Sequence, residues 1–256
     1  MASRTLQDLT ADERQEAAAI YEDVRQYSSS RLRGSVGQEG DRRRRIALRL
    51  LDEASADLDR RLPEIPCRRG CASCCTLPVH VDATEVFGIL DYMHKALSTT
   101  DRERIFDNIG ATAAALRAIP DSARPSTRRA CPFLTGNTCA IYSARPMMCR
   151  AHHSTDRSAC DAQSREGVPA QLIRHVVLFG IVESYLTVQS QAGQASEHWE
   201  LVGALDEAIR DTGARMRLSC GESPFTFMLP VPLSAPTSES GRSPPSLPGT
   251  VDGRSS

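Results

Sequence analysis

Four cysteines fall within nine residues, Cys67, Cys71, Cys74 and Cys75, and four more follow at Cys131, Cys139, Cys149 and Cys160. Neighbouring thiolates repel one another and neighbouring thiols invite oxidation, so groups this dense persist where something binds them. The chemistry they predict is sulfur ligation of a metal ion or an iron-sulfur cluster. A cysteine buried as a small hydrophobe would account for one of these positions, not for four together. A thioredoxin-type redox pair at Cys71-Ala72-Ser73-Cys74 would need a preceding strand and a βαβ pattern, and neither is present. Cys220 stands alone before Gly221 and reads as a spare thiol.

The spacing of the first group suits a helix. If Pro66 occupies a first helical turn, the four sulfurs stand at offsets of 0, 4, 7 and 8. At ~100° per residue they share an arc of about 100° on one face. Gly70 would cost such a helix about 1 kcal/mol relative to alanine, while letting the backbone approach a bound centre. Adjacent Cys74 and Cys75 are poorly placed to chelate one small ion, which leaves one of them for a second metal, a cluster iron or redox chemistry.

The second group begins with a hairpin pattern over Cys131 to Tyr142, with Gly136 and Asn137 as its turn. A regular two-residue turn sets Cys139 opposite Leu134 and Cys131 opposite Tyr142. Pro146 can open a short helical turn whose amides would favour a Cys149 thiolate. Arg145, Arg150 and Arg157 either offset thiolate charge or lie on the surface. His152 and His153 follow Cys149 closely enough to add an imidazole ligand. His80, His94, His175 and His198 are isolated in sequence and read as structural or exposed. Glu85 is accounted for by helix capping.

These residues, Cys67-x-x-x-Cys71-x-x-Cys74-Cys75, then Cys131-Pro-Phe-Leu, Gly136, Cys139-x-Ile141-Tyr142-x-x-Arg145-Pro146-x-x-Cys149-Arg150 and Cys160, resemble the YkgJ or CxxCxxCC family of cysteine-cluster proteins. That family is described as zinc- or iron-chelating. The resemblance covers about residues 63 to 165, and its second half is the more specific. The first half departs from the family name, since three residues rather than two separate Cys67 from Cys71. The family is also similar to the cysteine-rich part of flagellin lysine methylases, which implies a metal-dependent protein-modifying enzyme as an alternative. No Gly-rich methyl-donor loop follows a strand here.

The elements that must position the cysteines read as helices. With 40% hydrophobic residues and only 5% aromatics, the 256-residue chain favours helix over sheet. A capping box at Thr10-Ala11-Asp12-Glu13 opens a helix that should break at Ser28-Ser29-Ser30. A second runs through Ile46, Leu50, Leu51 and Leu58 to Pro63, and the two could pair as a hairpin. The Arg42 to Arg45 run at its start spreads around the helix and reads as a solvated face. Asp82 to Glu85 caps a third helix, and Thr100 to Glu103 caps a fourth that ends at Pro120. Pro169 to about Gln191 is apolar on several sides and reads as a buried helix; Ser196 opens another through Trp199 and Leu205.

The expected fold is therefore mainly α, a helical domain with a small irregular hairpin and loops around a cysteine-rich site. Residues 1–62 form an N-terminal helical extension and 63–229 the cysteine-cluster domain. Residues 230–256 form a Pro- and Ser-rich tail expected to be disordered. Deleting the tail from Ser234 onward should leave metal content and melting temperature unchanged; a drop of several degrees would refute this. A net charge of -1 gives no global attraction to nucleic acid or an acidic membrane. The polar N-terminus and the absence of an evident spanning stretch point to the cytoplasm. No carboxylate pair, nucleophile elbow or phosphate loop stands out, so the residues specify no reaction. The eight clustered cysteines are the expected ligands, for an iron-sulfur cluster by preference or for zinc or iron ions, including two closed four-cysteine sites or a labile metal carrier.

Overall fold

The computed structural model describes residues 9–33, 40–120, 122–124, 127–162, 168–193 and 197–225, and the chain is mainly helical. The tail expected over 230–256 lies outside these residues. α1 (Ala11–Arg33) opens on the expected capping box. Glu13 N donates to Thr10 Oγ1 at 3.2 Å, and Thr10 N donates to Glu13 Oε2 at 2.8 Å. The helix does not break at the three serines. Ser28 is buried, and Ser30 Oγ donates to the Tyr27 carbonyl at 2.7 Å, so hydroxyls that often compete with a helix are absorbed by it.

α2 (Gly40–Arg61) distributes its arginine run around the axis, but not all of it to solvent. Arg43 is buried and bonds Gln189, while Arg44 and Arg45 pair with Asp41. Rather than packing chiefly on each other, α1 and α2 both lie along α7 (Leu172–Gln191). A Cβ at Gly180 would come within 3.1 Å of Val24 and 3.3 Å of Tyr21, which marks how closely α1 approaches α7. Leu32, Leu51, Leu58, Leu178 and Tyr185 fill this core with Met147 and Ala151. Each such large side chain contributes about 1.5–3 kcal/mol, so apolar burial seats α7. By length and composition α7 could cross a membrane, contrary to the sequence expectation, but half of it is buried within this core.

A second core joins α3 (Ala83–Ala96), α4 (Thr99–Arg117) and α8 (Leu201–Arg210) through Val86, Ile89, Met93, Ile105, Ile109 and Leu205. Asp82 caps α3 with a full capping box. α4 is capped by Ser98 rather than Thr100: Ser98 Oγ accepts from Asp101 N at 3.1 Å, and Thr99 and Thr100 become helical. Trp199 is not helical either. β1 (His80–Val81) pairs antiparallel with β4 (Trp199–Glu200), His80 opposite Glu200 and Val81 opposite Trp199. Glu200 then caps α8 by accepting from Gly203 N at 2.8 Å, which moves the helix start five residues beyond Ser196. A short α9 (Ala214–Ser219), not anticipated in the sequence, follows. Between the cores lie a helix-free run from Pro63 to Val79, the hairpin β2 (Leu134–Thr135) and β3 (Thr138–Cys139), and the short helices α5 (Met147–Ala151) and α6 (Arg157–Asp161). The clustered cysteines sit here.

Candidate metal centre

The first cysteine group is gathered by turns, not by the expected helix. Cys71 N donates to Arg68 O at 2.9 Å, Cys75 N to Ala72 O at 2.9 Å, and Leu77 N to Cys74 O at 3.0 Å. Gly70 takes φ +93°, a left-handed conformation that interrupts any helix and that glycine adopts at little cost. Beyond the turns the chain extends and pairs with the segment leading into the second group. Arg129 N donates to Thr76 O at 3.1 Å, and Cys131 N donates to Cys75 O at 2.8 Å. The backbones of the two cysteine groups are thus bonded directly to each other.

The hairpin keeps the expected register of Leu134 opposite Cys139. Cys131 does not continue the ladder to face Tyr142. Its carbonyl accepts from Leu134 N at 3.1 Å, closing a turn, and Tyr142 enters a 3-10 turn over Tyr142–Ala144. Pro146 precedes α5, which carries Cys149 as anticipated. The nearby amides do not prevail over burial, however. Desolvation pushes the Cys149 thiol up, and thiolates at Cys131, Cys74 and Cys139 push it further.

α5 is anchored by a residue whose role the sequence concealed. Glu85 Oε1 accepts from Met147 N at 2.8 Å, while its Oε2 accepts from Asp82 N at 3.3 Å in the α3 capping box. One buried carboxyl group therefore fixes the start of α3 and the start of the helix bearing Cys149. The only sequence signal was the capping box. The three arginines also separate. Arg150 is structural, bonding Ser143 O at 2.7 Å, Arg145 O at 3.1 Å and Asp52. Arg157 pairs with exposed Asp161 at 3.6 Å. Arg145 stacks 4.3 Å from the Tyr142 ring centroid; burial raises the Cys139 pKa and the Arg145 charge partly opposes that rise there and at Cys74, so it faces the thiols.

Cys71, Cys74, Cys75, Cys131, Cys139 and Cys149 line one cavity of about 360 Å³. Cys67 and Cys160 lie beside it rather than in it. Ser154 N donates to Cys67 Sγ at 3.2 Å. Burial raises the Cys67 pKa, and thiolates at Cys71, Cys74 and Cys160 add to the rise. The Cys74 thiol is pushed up first by its hydrogen bond with Cys75 and then by burial. Burial, followed by charge at Cys139, pushes Cys131 up to about 12. Ionising these thiols together is costly without a cation among them. Among the described residues all the cysteines are free thiols, and no three Cys, His, Asp or Glu side chains are drawn together tightly enough to hold a single ion. The donor chemistry fits a thiophilic metal, and the two groups converge without closing a mononuclear shell.

The histidines are placed differently from the expectation. His152 and His153 do not line the cavity. His153 Nδ1 lies 3.1 Å from Ala151 O, and its ring is 6.3 Å from that of His175, which packs on Phe179 at 4.3 Å and so is not isolated. His80, read as structural or exposed, lines the cavity from β1.

Residues 66–168 match the family model described as "CxxCxxCC: Putative zinc- or iron-chelating domain". This matched segment agrees with the family that the cysteine pattern resembles. Its bounds enclose all eight clustered cysteines and exclude Cys220, so the division drawn from spacing coincides with the limits of the domain. That description names zinc or iron chelation and so supports metal binding in general. No curated protein and no solved structure matches the chain.

Proposed function

We propose that this is a cytoplasmic metalloprotein in which Cys67, Cys71, Cys74, Cys75, Cys131, Cys139, Cys149 and Cys160 hold iron-sulfur chemistry, four sulfurs ligating one cluster and the others serving a second cluster or a redox role. The observation that carries this reading is the convergence of both cysteine groups on one cavity, laced by the 2.8 Å bond from Cys131 N to Cys75 O. Thiols raised by burial and by one another gain most from a cation, and none is consumed by a disulfide. Eight cysteines give one cluster its four ligands and leave others for a second cluster or a redox role, and adjacent Cys74 and Cys75 are poorly placed to close a tetrahedral zinc site.

Anaerobic purification followed by metal and acid-labile sulfide analysis tests the proposal. The expected preparation is brown, contains iron and sulfide, and has a broad visible absorption that dithionite changes. Stoichiometric zinc in a colourless preparation would replace the cluster by zinc chelation. Protein free of both metals would overturn metal binding altogether.

A further inference from the structure

The cavity lined by the cysteines extends well beyond them. Leu77, Val79, Phe133, Leu134, Leu201 and Val202 form an apolar wall that a purely structural metal site does not need. The concave space, about 360 Å³ including the part that faces the cysteines, has mostly apolar walls and a few polar groups, the form of a small-molecule site. Its charged groups are unequal. Glu200 is the one carboxylate among them, and its side chain is engaged in capping α8. Of the four arginines, Arg145 faces the thiols and Arg124 Nε bonds Leu116 O and Ile119 O. Arg68 and Arg129 are exposed, and neither side chain has a hydrogen bond or ion pair among the described residues. Elsewhere in the chain arginines are repeatedly matched with aspartates, as at Asp41, Asp57, Asp206 and Asp211.

We propose that this cavity binds an amphipathic carboxylate beside the metal centre, its aliphatic body against Leu77, Val79, Phe133 and Val202 and its carboxylate met by Arg68 and Arg129. A guanidinium fork matches a carboxylate bidentately. A singly charged headgroup suits a site that already holds several thiolates, whereas a phosphate would meet stronger repulsion. The proposal rests on the metal reading only for the identity of the neighbouring centre.

The test is calorimetric titration of decanoate into the metal-loaded full chain, with 1-decanol and inorganic phosphate as comparison ligands. Saturable 1:1 binding of decanoate is expected, with decanol at least tenfold weaker and phosphate not bound. The R68Q/R129Q double variant should lose at least tenfold in decanoate affinity with unchanged metal content. L77W, which fills the apolar wall, should abolish binding. Absence of saturable binding, or decanoate affinity unchanged in R68Q/R129Q, would overturn the proposal. Metal analysis of the same samples separates the two readings: Arg-dependent decanoate binding by metal-free protein would sustain the cavity proposal while the metal reading fails.

Discussion

Replacing Cys149 by serine should remove metal and stability together. Cys149 sits on α5 with its thiol among those of Cys131, Cys74 and Cys139, so it stands where the two groups meet. A serine oxygen is a poor ligand for a thiophilic metal, and at such sites binding free energy is also folding free energy. Loss of even a few kcal/mol would lower the melting temperature by about 6 °C or more at this chain length. Cys71→Ser, in the first group, should act in the same direction because its sulfur lines the same cavity. Exposed Cys220→Ser, outside the CxxCxxCC domain, supplies the control and should change neither quantity. Metal stoichiometry and thermal melting of the three variants decide the matter; full occupancy and wild-type melting in both Cys149→Ser and Cys71→Ser would remove the shared centre.

What the sequence disclosed was mostly local chemistry. The Thr10 and Asp82 caps, the Gly136-Asn137 turn and the Pro146 start of α5 depend on residues within a few positions, and all form as the sequence implies. The helical reading of Cys67 to Cys75 failed because side-chain offsets describe where sulfurs would point on a helix, not whether a backbone with Gly70 at positive φ remains one. Trp199 reads as helical in sequence because its apolar neighbours recur at helical spacing. Its true partner, Val81, is remote in sequence. The same limit hid the centre's supports: neither the Cys131 to Cys75 backbone bond nor the Glu85 to Met147 bond has a local signature. Arg145 and Arg150 carry equal charge in similar surroundings of sequence, and only packing separates the one that faces thiols from the one that ties its own loop to α2.

The contribution of Glu85 to stability should be lost as pH rises from about 4.5 towards 8, and Asp82→Asn should reduce that loss. Glu85 is buried between α3 and α5, and its pKa is raised to about 8, first by desolvation and then by the charge of Asp82. Asp82 Oδ2 is itself buried without a hydrogen-bond partner. Between these pH limits the folded protein retains a proton on Glu85 that the unfolded chain releases. The stabilising contribution is therefore complete below the ordinary carboxyl pKa and is lost as pH passes through the raised one. Asparagine preserves the α3 cap, because its side-chain oxygen can still accept from Glu85 N, while removing the neighbouring charge. Glu85→Gln also removes the titration, but one amide oxygen replaces two acceptors. It leaves Met147 N or Asp82 N unmatched, at a cost of about 1–3 kcal/mol. Melting temperatures of metal-loaded wild type and Asp82→Asn across this pH range provide the measurement, since thiol titration common to both cancels in their difference. A difference that does not change with pH would show that the charge of Asp82 does not raise the Glu85 pKa, and would refute the prediction. A difference that grows with pH in favour of the variant would establish that the carboxyl holding α5, and through it Cys149, is protonated when the fold is most stable.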